Sequence, residues 1–233
     1  NKQAPQNTIP AFEKSLEIGV DGFETDVHMS RDGVPVICHN YTIDETSNGI
    51  GAISDMTLEQ LRSYDFGSYF HDEFRGTKLP TLDEFLTLCA TADIEIMNIE
   101  LKTPLSGEKG IVKETLAAVK EHGLFDKLLI SSFSPELLVE CKRLDPACKT
   151  GFLYSPDRKI TYKKMLFGYV EFAKEIGAEY LHPHFSLVNK HYVKKLHDNG
   201  IGINVWTVDG DGIAKRMLDC GVDGIITTVP DMI

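Results

Sequence analysis

The chain has 233 residues, 42% of them hydrophobic, and carries 24 Lys and Arg against 35 Asp and Glu, a formal net charge of −11. That supports one sizeable core. It argues against a nucleic-acid partner, because Lys142-Arg143, Lys163-Lys164 and Lys194-Lys195 read as solvated helix faces rather than a basic stripe. The five cysteines, Cys38, Cys89, Cys141, Cys148 and Cys220, include no Cys-x-x-Cys pair and read as reduced thiols of a cytoplasmic protein, and no apolar run is long enough for stable membrane insertion.

Thr8 to Gly19 carries apolar residues at Ile9, Phe12, Leu16 and Ile18, with Asn7 as cap and Gly19 as stop, and predicts a helix. Gly22 to His28 predicts a strand, Ser30 to Gly33 a tight turn, and Val34 to His39 the returning strand of a hairpin. Pairing Met29 with Val34 would bring His39 opposite Glu24. Residues 41–80 are polar, Gly-rich and irregular, with a short helix near Leu58 to Tyr64. They are too long for an ordinary loop and predict a small inserted subdomain beside an active-site mouth. Leu82 to Ala90 reads as a helix.

From there the pattern is regular. Strands are predicted at Ile94–Leu101, Leu128–Ser132, Lys149–Leu153, Tyr180–Pro183, Gly202–Thr207 and Gly224–Thr227. Helices fall between them at Lys109–His122, Pro135–Leu144, Tyr162–Ile176, Asn189–Asn199 and Gly210–Cys220. Repeated βα units imply a parallel sheet. Apart from the hairpin return, seven strands of parallel type are expected. A helix comes first and a strand last. The expected fold class is α/β, a distorted (β/α)8 TIM barrel lacking its first strand and last helix, with residues 1–233 as a single domain. An open doubly wound sheet is the rival, disfavoured because no Gly-rich phosphate fingerprint follows an early strand.

Three acidic residues stand where core strands should be apolar. Glu24 and Asp26 share one face of their strand, since side chains alternate. Glu100 and Lys102 repeat that spacing on the next parallel strand, with Asn98 below them. Buried carboxylates need compensation, and three converging ones make an all-oxygen site that suits Mg²⁺, Ca²⁺ or Mn²⁺ rather than zinc. The alternative is a solvated edge strand. His39 could move a proton beside a metal–phosphate centre. Lys102 could hold a phosphate oxygen as a point charge or pair with Glu100 or Asp26. Trp206 fits either an apolar wall for a glycerol or small alcohol group or a core filler. His182 and His184 read mainly as loop hydrogen-bonding groups, and Phe185 is a weaker wall candidate.

In order along the chain, Ala4-Pro5-Gln6-Asn7-Thr8, Glu24-Thr25-Asp26-Val27, Asp32-Gly33-Val34-Pro35-Val36, His39, Leu79-Pro80-Thr81-Leu82, Asn98-Ile99-Glu100-Leu101-Lys102, Val205-Trp206-Thr207-Val208 and Gly221-Val222-Asp223-Gly224-Ile225-Ile226-Thr227 resemble the glycerophosphodiester phosphodiesterase family. The resemblance implies hydrolysis of glycerophosphodiesters to glycerol 3-phosphate and an alcohol. It assigns one divalent cation, Mg²⁺ or Ca²⁺, to Glu24, Asp26 and Glu100, makes His39 one of two catalytic histidines and places Lys102 on the phosphate. The glycerol 2-hydroxyl attacks phosphorus, a cyclic phosphate forms, and water opens it, with the two histidines exchanging acid and base roles. The family's His-Arg-Gly, which carries the other histidine, is expected just before Asn1. Gln6 replaces the usual Glu, and Asn40 replaces the usual Asp after the catalytic histidine. These departures motivate one alternative, a catalytically impaired barrel that binds a phosphorylated ligand; a second is a lysophospholipase D-type phosphodiesterase, for which the sequence shows no membrane-facing amphipathic helix.

Overall fold

The computed structural model of the protein describes residues 2–103, 110–156 and 159–232. By their internal packing they divide into Asn1–Leu128 and Leu129–Ile233.

In the first unit, α1 (Ile9–Ile18) takes Pro10 in its first turn, where a missing N–H costs nothing, and ends at Gly19, whose φ of 88° lets its N–H reach Leu16 and Ser15 carbonyls. Thr8 is the N-cap rather than Asn7. The Asn7 amide is used elsewhere. β1 (Gly22–Met29) and β2 (Pro35–Ile37) pair antiparallel through Val27↔Ile37, His28↔Val36 and Met29↔Pro35. That register differs by one residue from the expected one. Gly33 adopts φ 82°, and the Ser30 N–H bonds the Val34 carbonyl at 3.0 Å, so three residues make the turn instead of four. β2 ends at Ile37, and His39 is not opposite Glu24 but lies in the loop beyond.

β3 (Ile96–Leu101) runs parallel to β1, with Gly22↔Ile96, Glu24↔Asn98, Asp26↔Glu100 and Val27↔Leu101 aligned. Gly22 makes this approach possible, because a Cβ there would lie 2.2 Å from the Ile96 carbonyl oxygen. Between β2 and β3, residues 41–80 contain α2 (Leu58–Arg62), started by a Thr57–Gln60 capping box. Ile43, Ile53, Leu61, Phe66 and Leu79 form an apolar cluster with Val36 and Cys38, which anchors this segment to the hairpin. α3 (Leu82–Thr91) starts with a Thr81–Glu84 capping box and buries Phe85. Phe85 meets Phe12 and Phe23 at ring-centroid distances of 4.7 and 5.8 Å, pinning α1 and α3 to the same side of β1. α4 (Ile111–Glu121) buries Ile111, Val112, Leu116 and Val119. The expected start of α4, Lys109, lies outside the described residues.

In the second unit, β4 (Leu128–Ser132), β5 (Lys149–Tyr154), β6 (Tyr180–Pro183), β7 (Gly202–Val205) and β8 (Gly224–Ile225) pair in that order, all parallel. α5 (Pro135–Leu144), α6 (Lys159–Ile176), α7 (Lys190–His197) and α8 (Asp211–Cys220) follow the first four. β4 is buried along its whole length, as strands covered on both faces are. β7 stops two residues earlier than expected, and beyond it an isolated parallel bridge joins His184 to Trp206. Gly168 interrupts the helical dihedrals of α6. No helix among the described residues is long and apolar enough to cross a membrane.

Candidate active site

Side-chain alternation puts Glu24, Asp26 and His28 on one face of β1. The parallel register sets Asn98 beside Glu24 and Glu100 beside Asp26. The pairing ends one residue later, so Asp26 and Glu100 occupy the carboxyl end of the paired stretch. One carboxylate oxygen from each of Glu24, Asp26 and Glu100 lies within 4.8 Å of the others. Lys102 follows directly after β3, its backbone N–H bonded to the Val27 carbonyl at 3.1 Å. Its Nζ is 2.6 Å from Asp26 Oδ1 and 2.8 Å from Glu100 Oε1. From the chain before α1, Asn7 Nδ2 donates to Asp26 Oδ2 at 2.8 Å, while Thr25 Oγ1 donates to Asn7 Oδ1 at 2.9 Å. Asn7 holds φ 54°, a left-handed backbone that Asn tolerates better than most residues.

The electrostatics follow from three carboxylates sharing one ammonium. Burial, then the charges of Asp26 and Glu100, push the Glu24 carboxyl well above the usual range. Burial and then Asp26 push Glu100 up to about 7. Burial also works upward on Asp26, but Lys102, then His39 and the Asn7 bond outweigh it and hold that carboxyl below its ordinary value. Lys102 stays charged despite burial, because Asp26 and Glu100 raise it.

Acids raised by their own neighbours are what a cluster short of positive charge looks like. The donor set is carboxylate oxygen, which matches a hard divalent cation. Asn98 adds a further sign. It is buried beside Glu24, and among the described residues neither its Nδ2 nor its Oδ1 finds a partner. A cation bound to Glu24, Asp26 and Glu100, with its attached waters, fits all of these observations.

His39 lies in the exposed loop after β2, near enough for its charge to lower Asp26 and Glu100. Its Nδ1 is 2.7 Å from Asn40 Oδ1, and Asn40 Nδ2 donates to Glu45 Oε2 at 2.8 Å.

The chain matches the glycerophosphoryl diester phosphodiesterase family over residues 1–232. It is 36% identical over 234 residues to the glycerophosphodiester phosphodiesterase of Caldanaerobacter subterraneus, an alignment spanning 99% of this chain and 91% of that protein. It is 31% identical over 234 residues to the glycerophosphodiester phosphodiesterase of Bacillus altitudinis, spanning 97% and 90%. An Oleispira antarctica phosphodiesterase solved with the product sn-glycerol-3-phosphate superposes with a TM-score of 0.90 at 27% identity, covering 98% of this chain and 90% of that one.

The chain belongs to the glycerophosphoryl diester phosphodiesterase family. It is accordingly a phosphodiesterase, and its fold is the TIM-barrel class expected from the sequence.

Two residues beside this cluster were not singled out as site residues from the sequence. Asn7 reads as a helix cap, yet it anchors Asp26 from 19 residues away. No local signal announces such a contact. His28 is detectable, because it continues the Glu24–Asp26 alternation. It is buried and edge-on to Tyr41 at 5.0 Å. Burial and the Lys102 charge pull its pKa down to about 4, so it is neutral at ordinary pH.

Trp206 lies in the second unit, just past β7. Its Nε1 donates to the His182 carbonyl at 2.7 Å, and its ring meets Phe133 and His184 edge-on at 5.6 and 5.5 Å. The indole N–H is spent on backbone, which leaves the half-buried ring as an apolar surface. His182 is fully buried, 3.1 Å from the Asn204 amide, and burial lowers its pKa to about 3. His184 Nδ1 and Ser186 Oγ are 2.7 Å apart. His184 bonds within its loop as expected, whereas His182 bonds across to Asn204 on β7 instead of within a loop.

Proposed function

We propose that the protein hydrolyses glycerophosphodiesters to glycerol 3-phosphate and an alcohol, in a reaction that depends on one divalent cation, Mg²⁺ or Ca²⁺. The observation that carries this is the convergence of Glu24, Asp26 and Glu100 within 4.8 Å, in a cluster too acidic to be balanced by Lys102. These three would hold the cation. When bound, it would neutralise charge developing on the phosphoryl oxygens and make a coordinated hydroxyl more acidic. Lys102 carries three donors. Two face Asp26 and Glu100, and the third is offered to a phosphate oxygen.

His39 supplies proton transfer. The glycerol 2-hydroxyl attacks phosphorus, giving up its proton as the new P–O bond forms, and the alcohol leaves with a proton as its P–O bond breaks. Water then opens the five-membered cyclic phosphate by the reverse sequence of proton transfers. The scheme needs a second imidazole. Trp206 is proposed as the apolar wall for the organic part of the substrate. In the same reading the chain is one barrel domain with residues 41–80 as a small insertion at its mouth. The five free thiols favour a reducing, cytoplasmic compartment.

The test incubates full-length protein with glycerophosphocholine and a divalent cation and couples glycerol 3-phosphate release to a dehydrogenase. The expected result is steady turnover that a Glu24→Ala/Asp26→Ala double variant lacks. Product formation no greater than that of the double variant would defeat the proposal.

A further inference from the structure

We propose that Glu45 sets the tautomer of His39, acting through Asn40. The inference rests on the proposed role of His39 as the proton-transfer group. It begins with a departure of this sequence from its family, since the residue after His39 is Asn rather than Asp. An aspartate beside an imidazole can only accept a hydrogen bond, so it fixes the proton on the facing ring nitrogen. An asparagine presents an acceptor on one side and donors on the other. Alone, it could turn either group toward the ring and leave the tautomer undecided.

Glu45 removes that freedom. Asn40 Nδ2 is 2.8 Å from Glu45 Oε2, and an ionised carboxylate has no hydrogen to give. Only the Asn40 NH₂ group can face it. The amide oxygen must then face His39 Nδ1, 2.7 Å away, and can only accept. His39 therefore carries its proton on Nδ1 and keeps the lone pair on Nε2, as a base working through Nε2 requires. The carboxylate of Glu45 thus acts on the ring through one intervening amide. Glu45 touches no reacting atom and is a positioning residue.

The test is a double-mutant cycle with two readouts. Glu45→Lys replaces an acceptor with a donor, so Asn40 must turn its oxygen outward and its NH₂ toward the ring. That favours the Nε2–H tautomer. Asn40→Asp restores a direct acceptor and makes position 45 irrelevant to the ring. ¹⁵N-histidine spectra of the full-length protein, taken where His39 is neutral, should show Nδ1–H in the wild type and a shift toward Nε2–H in Glu45→Lys. Turnover of glycerophosphocholine in Glu45→Lys should fall about 10-fold or more in kcat, with KM nearly unchanged, as expected of a general base held in the wrong tautomer. On the Asn40→Asp background the same Glu45→Lys change should lose its effect on both readouts.

An unchanged His39 spectrum in Glu45→Lys, or an equal kcat loss on both backgrounds, overturns the inference. A tautomer that shifts while kcat does not would uphold the Glu45 relay and instead remove His39 from the proposed mechanism.

Discussion

Replacing Lys102 with Met should destabilise the cation-free protein in a pH-dependent way. The Lys102 side chain is 9% exposed and lies 2.6 Å from Asp26 and 2.8 Å from Glu100, whose side chains are 3% and 10% exposed. Methionine fills much of the same volume but strands both carboxylates. Removing one partner of a buried ion pair costs about 3–5 kcal/mol. Protonation sets a ceiling on that cost, because a stranded carboxylate can become neutral. Glu100 already sits at about 7 with the ammonium present, and losing Lys102 moves it further upward. An acid whose pKa is raised by folding favours the folded state at low pH and loses that advantage as pH rises. The gap between wild type and variant should therefore widen with pH, by up to ~1.4 kcal/mol per pH unit for each carboxylate forced to ionise. Urea unfolding in a chelator should show roughly 3–5 kcal/mol between the two proteins at about pH 8 and clearly less at about pH 5.5. A gap at the higher pH below about 1 kcal/mol, or one that narrows as pH rises, would refute the charge reasoning.

Three further outcomes are expected. His182 is buried neutral with its pKa lowered to about 3, so its contribution is intact above its unfolded value and is lost as pH falls from about 6.5 toward 3, amounting to about 4–5 kcal/mol; His182→Gln should flatten this acid limb in urea titrations, and parallel curves would contradict it. Gly22→Ala would put a methyl group 2.2 Å from the Ile96 carbonyl oxygen, prising β1 from β3 at a cost of about 1–3 kcal/mol and lowering turnover with it; wild-type melting and activity would show that the close approach does not position the acids. Asn98→Leu removes two orphaned buried groups and should stabilise the cation-free protein by about 1–3 kcal/mol in urea, whereas a loss of stability would mean that the amide has partners.

The parts of this molecule that could be read from sequence are those governed by short-range periodicity. Alternation put Glu24 and Asp26 on one face, and the similar Glu100–Lys102 spacing supplied the second strand. The β4, β6 and α5 boundaries follow from apolar runs closed by turn residues. The hairpin register could not be read, because it turned on whether Gly33 adopts a positive φ and shortens the turn. That shift moved His39 off the position opposite Glu24. The Asn7–Asp26 bond was equally hidden, since it joins residues far apart in sequence through a side chain that also looks like a helix cap. The His39–Asn40–Glu45 chain depends on how a loop closes after β2, which no periodicity encodes.

On the proposed function, Glu24, Asp26 and Glu100 hold one cation that turnover requires. Stripping the full-length protein with a chelator and titrating Mg²⁺ or Ca²⁺ back, while following glycerol 3-phosphate release and the heat of binding together, tests it directly. Activity should return in step with occupancy of a single site, and the Glu24→Ala/Asp26→Ala protein should show neither heat nor turnover. Full activity in the stripped protein, or unaltered cation binding in the double variant, would contradict it.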